Sequence, residues 1–337
     1  MLHVSSPARR ALGVAVLVVA IQAPMVTVFA WPAANIKPRD LPVVVAAPAP
    51  AADAFARQLA QAEPGAFKVT TVPDAAAADQ RLRDRDAYGA FVLGPGGLAG
   101  GLAGVHLASA ASPVAAQVLG QVAQAAGQGR AVPVDDVVPA DPGDPRGTGL
   151  AAAVLPLILT SLVAGVLLAL TVRGRWARGL GILAYAVLAG LAVTAILQYG
   201  LGALPGDYLA NSAVVALLAL AMAAAVAGLG AALGVAGTAL AVVVVFFLGN
   251  PLSGLTSAAE MLPQPWGAVG QLLPPGAGGT LLRSVGSFNG AGAAVAAWVL
   301  GAWAAGGLLL AVVTGRSRLR LPVSRRTAAR MPLREVA

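Results

Sequence analysis

The sequence predicts a polytopic α-helical membrane protein with six spans and an α/β domain inserted between the first span and the second. Three observations predict it. Of 337 residues, 58% are hydrophobic and 11% charged, against about 25% charged in soluble domains. The apolar residues collect into runs close to the ~20 residues a helix needs to cross a bilayer. One sizeable hydrophilic stretch, residues 31–148, interrupts those runs.

Composition also excludes several classes of function. Cysteine is absent, which removes disulfides, thiolate catalysis and cysteine metal sites. His3 and His106 lie far apart and outside any ligand-spaced cluster. No metal, cofactor or catalytic constellation is expected, and the chain reads as a non-enzyme.

Residues 1–10 form a short N-terminal segment ahead of the first span, 11–30. Arg9, Arg10, Val28 and Ala30 would also suit a cleaved signal peptide. The apolar stretch exceeds the roughly 7–15 residues usual for such peptides, so a retained anchor is expected. Within 31–148, the run 41–46 (LPVVVA) reads as a buried strand. A helix follows over 50–62, with Phe55, Leu59 and Ala62 on one face. The alternation of 67–72 (FKVTTV) predicts a second strand. Asp74 caps a helix through 84. Strands are expected at 88–93 (YGAFVL), 105–110 and 132–138, with a helix over 113–126. Such alternation predicts an α/β or α+β domain.

The remaining spans are expected at 150–172, 179–199, 211–233, 235–255 and 291–314, making 149–314 a five-helix domain. Residues 213–248 are one apolar run, too long for a single span, with a natural turn at 234–237. Gly228, Gly230, Gly234 and Gly237 crowd this region, and Gly230 with Gly234 makes a GxxxG pair suited to close helix contact. Residues 249–290 are too polar and proline-rich for a span and too apolar for an aqueous loop. Asn250, Pro251 and Gly254 break a helix there, and Trp266 suits a membrane interface. Leu262, Val269, Leu272 and Leu273 are expected on the buried side of short interfacial helices. Glu260 and Arg283, the only acid and base in the segment, read as separately solvated, with a salt bridge as the alternative.

Charge gives a direction. The chain carries a net +8, from 20 Arg and 2 Lys against 14 acids. With the N-terminus in the cytoplasm, the cytoplasmic segments hold 12 Arg and one acid, Glu335. These are Arg9, Arg10, the loop RGRWARG at 173–179, and the basic tail 315–337. The other side holds 10 positive and 13 negative residues. The basic excess is therefore an orientation signal and implies no nucleic-acid partner. Attraction of the tail to anionic membrane lipid, at about 1 kcal/mol per Arg, is consistent with it.

Other motifs carry little chemistry. The GPGGLAGG run at 94–101 is superficially like a dinucleotide loop, but Ala99 replaces the third glycine and a plain turn is expected. The run 81–86 (RLRDRD) reads as a solvated helix face. Asp135 and Asp136, adjacent on a strand, point to opposite faces. No ionisable residue lies within the six spans, which argues against an ion-coupled carrier. Ser161, Ser212 and Ser253 lack a neighbouring base. With no GxxxxGK[ST] loop, any use of ATP requires a partner.

The layout resembles the type-2 ABC exporter permeases and the related YhgE/Pip-like membrane proteins. The residues that carry the resemblance are Pro251, Ser253 and Gly254, then Leu262, Pro263, Trp266, Leu273, Pro274, Arg283, Phe288 and Gly290 before the last span, with YGAFVLGP at 88–95. The resemblance implies re-entrant helices over 249–290 and a permease half that forms a homodimer or heterodimer. It implies a separate cytoplasmic ATPase subunit, outward movement of a substrate, and a place in a bacterial plasma (inner) membrane with both termini cytoplasmic. The short loop departs from the family pattern, so Arg173, Arg175, Trp176 and Arg178 would have to carry ATPase docking. Trp176 is equally suited to anchoring at the interface. The alternative is a non-transporting envelope protein that binds a partner through its outer domain.

Overall fold

Helix α1 (Pro7–Ala34) opens the computed structural model, which describes residues 7–127 and 129–314. The basic tail expected at 315–337 lies outside the described residues. A five-stranded mixed sheet follows α1. Its elements are β1 (Leu41–Ala46), α2 (Ala49–Ala62), β2 (Phe67–Val72), α3 (Ala75–Arg83), β3 (Gly89–Leu93), β4 (Leu102–Leu107), α4 (Pro113–Ala126) and β5 (Val134–Asp136). The strand order is β2-β1-β3-β4-β5. All pairings are parallel except the β3–β4 hairpin. The 94–101 run closes that hairpin, with the Gly94 amide donating to the Gly101 carbonyl at 2.9 Å.

Alternate strand residues feed two cores, as the pleat requires. Val43, Val45, Phe91 and Val105 meet α2 and α4 on one face. Val44, Ala46 and Ala90 meet α3 on the other. Asp74 and Ser112 cap α3 and α4 through the amides of Ala77 and Ala115.

The helical module contains α5 (Thr148–Thr171), α6 (Arg175–Ala195, with a π-helical extension to Gly200), α7 (Tyr208–Leu233), α8 (Val235–Val242), α9 (Trp266–Gln271), α10 (Pro274–Ser287) and α11 (Ala294–Val313). Among the described residues, five helices are long and apolar enough to cross a membrane: α1, α5, α6 with its extension, α7 and α11. The span expected at 235–255 is shorter than anticipated. The eight residues of α8 run into six π-helical residues, Val243–Leu248. At ~1.5 Å per residue the pair reaches roughly 21 Å, short of the ~30 Å hydrocarbon core. Turns at 249–251 end it, where Pro251 supplies no amide donor.

The bundle inverts the pattern of a soluble protein. Its middle is small: Ala219, Ala221, Ala223, Ala224, Ala225 and Ala227 of α7 are fully or almost fully buried. Its outside is large and apolar, with Leu159, Val163, Leu167, Leu180, Leu188, Trp298 and Leu309 exposed. That distribution suits a hydrocarbon surround. α7 packs against α5, α6, α10 and α11. α1 stands apart and touches the module through Phe29, whose ring lies 5.9 Å from Phe246 and 6.5 Å from Phe247.

The close crossing of α7 and α11 does not use the expected Gly230–Gly234 pair. It uses Gly228 and Gly307: a Cβ on Gly307 would lie 2.4 Å from the Ala224 carbonyl carbon, and one on Gly228 would lie 2.3 Å from the Gly307 oxygen. Gly234 makes the α7–α8 turn instead, with φ +68°. Gly307→Ala should therefore force α7 and α11 apart and destabilise the fold by about 1–3 kcal/mol, read as a lower melting temperature in detergent. Gly301→Ala, with nothing within 4 Å of its Cβ position, should leave melting unchanged or slightly raised.

Candidate functional site

The segment after α8 folds back as a helical hairpin, and its glycines let backbone strands touch. A Cβ at Gly270 would sit 1.7 Å from the Leu252 carbonyl oxygen. Pro251 lies in the turn that ends α8, and Ser253 folds back to donate to the Asn250 carbonyl at 2.7 Å. Gly254 takes φ +68°. The Pro263 carbonyl accepts from the Trp266 amide at 2.9 Å, starting α9 with Trp266 partly exposed. Pro274 opens α10 at its first turn, where a missing amide costs nothing. Gln271 joins the pieces: its amide donates to the Ser253 carbonyl at 3.0 Å and its oxygen accepts from Thr280 Oγ1 at 2.7 Å. Trp303 of α11 donates to the Leu272 carbonyl at 2.9 Å.

This hairpin binds the α/β domain from several directions. Ala258 and Met261 enter the core beneath α2 and α4, while Phe288 enters the opposite core beside α3. Backbone bonds join Arg39 to Glu260 (3.0 Å) and Lys37 to Met261 (3.1 Å). Arg39 Nη1 adds a bond of 2.8 Å to the Met261 carbonyl.

Between the domain and the hairpin lies a cavity of about 280 Å³. Arg85, Asp86 and Tyr88 line it from the domain side; Ser253, Gly254, Glu260, Gln271, Thr280 and Arg283 line it from the hairpin. The Tyr88 hydroxyl donates to Glu260 Oε2 at 2.8 Å. Burial, with the neighbouring Glu260 charge second, pushes the Tyr88 phenol well above its ordinary value. It stays a neutral donor. Arg85 donates through Nη1 to the Thr280 carbonyl at 2.7 Å and to Ser284 Oγ, and its guanidinium lies over the Phe288 ring at 5.6 Å. Burial pulls the Arg85 value down from its ordinary level. Arg283, 9% exposed, donates from Nη2 to the Leu255 carbonyl at 2.5 Å.

Two sequence expectations are corrected here. Glu260 and Arg283 are neither separately solvated nor joined to each other. One is held by Tyr88 and the other by Leu255. The 81–86 run is not wholly a solvated face. α3 ends at Arg83, and Arg85 adopts φ +62° and reaches α10. Arg81 and Asp86 remain an exposed pair at 2.8 Å. Of the expected site residues, Ser253, Gly254 and Arg283 line the cavity, while Pro251, Pro263, Trp266 and Pro274 shape the hairpin outside it. Arg85 and Tyr88 were missed, because no spacing links them to partners 172 to 199 positions away.

The expected docking loop also differs. α6 begins at Arg175, so the connection from α5 is three residues long. Arg173, Arg175 and Trp176 are exposed, Trp176 at 71%, and Arg175 stacks over the Trp176 ring at 5.7 Å. Arg178 is 1% exposed and unavailable to a partner. Its Nη2 donates to the Val172 carbonyl at 3.1 Å and its Nη1 to the Ala311 carbonyl at 3.4 Å. It thus places a cation where α5 and α11 end, which suits both helix dipoles.

Among the described residues no three His, Cys, Asp or Glu come together as a metal site. His106 pairs instead with Asp79 at 2.6 Å, and Asp136 accepts from the Ser109 amide at 3.1 Å. Comparison with known family models, curated proteins and solved structures found no match.

Tyr88→Phe should leave the half-buried Glu260 without its donor and lower stability by about 1–3 kcal/mol, seen as a melting shift that Glu260→Gln largely avoids. Arg178→Ala should destabilise by a similar amount, roughly 1–3 kcal/mol, while Arg175→Ala should not change melting.

Proposed function

We propose that the chain is the membrane-embedded permease half of an ABC-type exporter. It moves a substrate outward and works with a second permease half and a separate ATPase subunit. The observation that carries this reading is the helical hairpin α9–α10. It lies against the central helix α7 and is simultaneously bound into both cores of the α/β domain. Any tilt of α7 is thereby passed to the domain, as an exporter gate requires. The five long apolar helices and the resemblance of residues 249–290 to type-2 exporter permeases support the same reading. In this reading α8 and the turns after it complete a sixth crossing. The α/β domain then faces outward, and Arg173, Arg175 and the basic tail face the cytoplasm.

A second reading, a non-transporting envelope protein, is favoured by one observation. With Arg178 buried, only Arg173, Arg175 and Trp176 of the expected docking residues are exposed. Purification from native membranes in mild detergent separates the two. The exporter reading expects a stoichiometric ATPase whose turnover falls in Arg175→Glu, with melting unchanged. Repeated recovery without a nucleotide-binding subunit would favour the envelope protein. Reporter fusions should place the α/β domain and the carboxyl end on opposite sides of the membrane.

A further inference from the structure

The junction cavity brings two largely buried guanidiniums together without an ion-pair contact for either among the described residues. Arg85 and Arg283 both face it, and among the described residues neither forms an ion pair with a carboxylate. Glu260 is the carboxylate between the two modules, and it already accepts from Tyr88. Asp86 also lines the cavity, but its carboxylate pairs with Arg81 at 2.8 Å. Asp144, near Arg283 on its far side, accepts from the Leu150 amide at 2.9 Å at the start of α5. The two guanidiniums therefore sit in a largely desolvated place with Glu260 and Asp144 near them but, among the described residues, with no carboxylate in ion-pair contact with either. A buried guanidinium with no counter-charge in contact favours an anion that can touch it.

The donors are also in surplus. Each guanidinium carries five N–H groups in a planar fork. The protein acceptors they reach are the Thr280 and Leu255 carbonyls and Ser284 Oγ. The Thr280 hydroxyl already donates to Gln271. At ~30 Å³ per water in the liquid, a cavity of about 280 Å³ admits an oxyanion with the group attached to it. Guanidinium forks match the oxygens of phosphate in pairs.

We infer that this cavity is a binding site for a phosphate-bearing anion, clamped between Arg85 of the α/β domain and Arg283 of α10. Bound there, the anion gives both guanidiniums a counter-charge in contact and ties the domain to the hairpin. Its phosphate comes either from the headgroup of an anionic lipid at the membrane surface or from a soluble phosphate. The inference requires no transport path and no ATPase.

The test uses the full chain in phosphatidylcholine nanodiscs titrated with inorganic phosphate, with chloride at equal ionic strength as the control. Phosphate should raise the melting temperature saturably where chloride does not. Arg85→Gln and Arg283→Gln should each weaken the effect about tenfold or more. Glu260→Gln, which removes the competing carboxylate yet keeps an acceptor for Tyr88, should strengthen it. That gain is readable even if Arg283→Gln does not fold. In discs containing phosphatidylglycerol, a higher starting melting temperature and loss of the phosphate response identify the lipid headgroup as the source. An unchanged response identifies a soluble phosphate. Absence of a saturable shift by phosphate together with no dependence on phosphatidylglycerol would overturn the site. So would an equal shift in wild type, Arg85→Gln and Glu260→Gln.

Discussion

Close backbone contact around α7 is the constraint on which the rest of the structure depends. In hydrocarbon, burial of apolar side chains gives helices no reason to associate, and small residues that bring backbones together supply the attraction instead. The alanine-lined α7 and the Gly228–Gly307 crossing provide such contact. Four other helices take their positions from it. The large side chains, with no room inside, turn outward and define the lipid-facing surface.

The same economy of volume shapes the α9–α10 hairpin. Its backbone is covered by protein. Gly270 against Leu252 and Gln271 against Ser253 provide that cover. The hairpin then has two partners. Its α10 lies on α7, and its flanks complete both cores of the α/β sheet. The domain is therefore part of one packed unit with the bundle, and the junction cavity is a consequence of how the two meet.

Burial decides what the charged residues at this junction do. Arg178 and Arg283, both arginines near helix ends, look alike in sequence. Arg178 satisfies two helix C-termini and is structural. Arg283 uses one guanidinium nitrogen on the Leu255 carbonyl and turns toward a cavity shared with Arg85. That difference in surroundings separates a capping residue from one with capacity for a ligand.

Much of the architecture was legible in the chain. Apolar run length marked four of the later spans, and strand–helix alternation marked the inserted α/β domain, because both depend on local pattern. The break after α8 was legible only in part: Pro251 and Gly254 announced an irregular segment, but not that the helix would stop at Leu248. Strand order, the Gly228–Gly307 crossing, the burial of Arg178 and the meeting of Arg85 and Tyr88 with residues 260–284 were decided by tertiary structure. Each depends on a contact between segments far apart in the chain, whose free energy comes from excluded solvent and matched shape. Periodicity records which face of an element is apolar. It does not record which distant surface that face will meet.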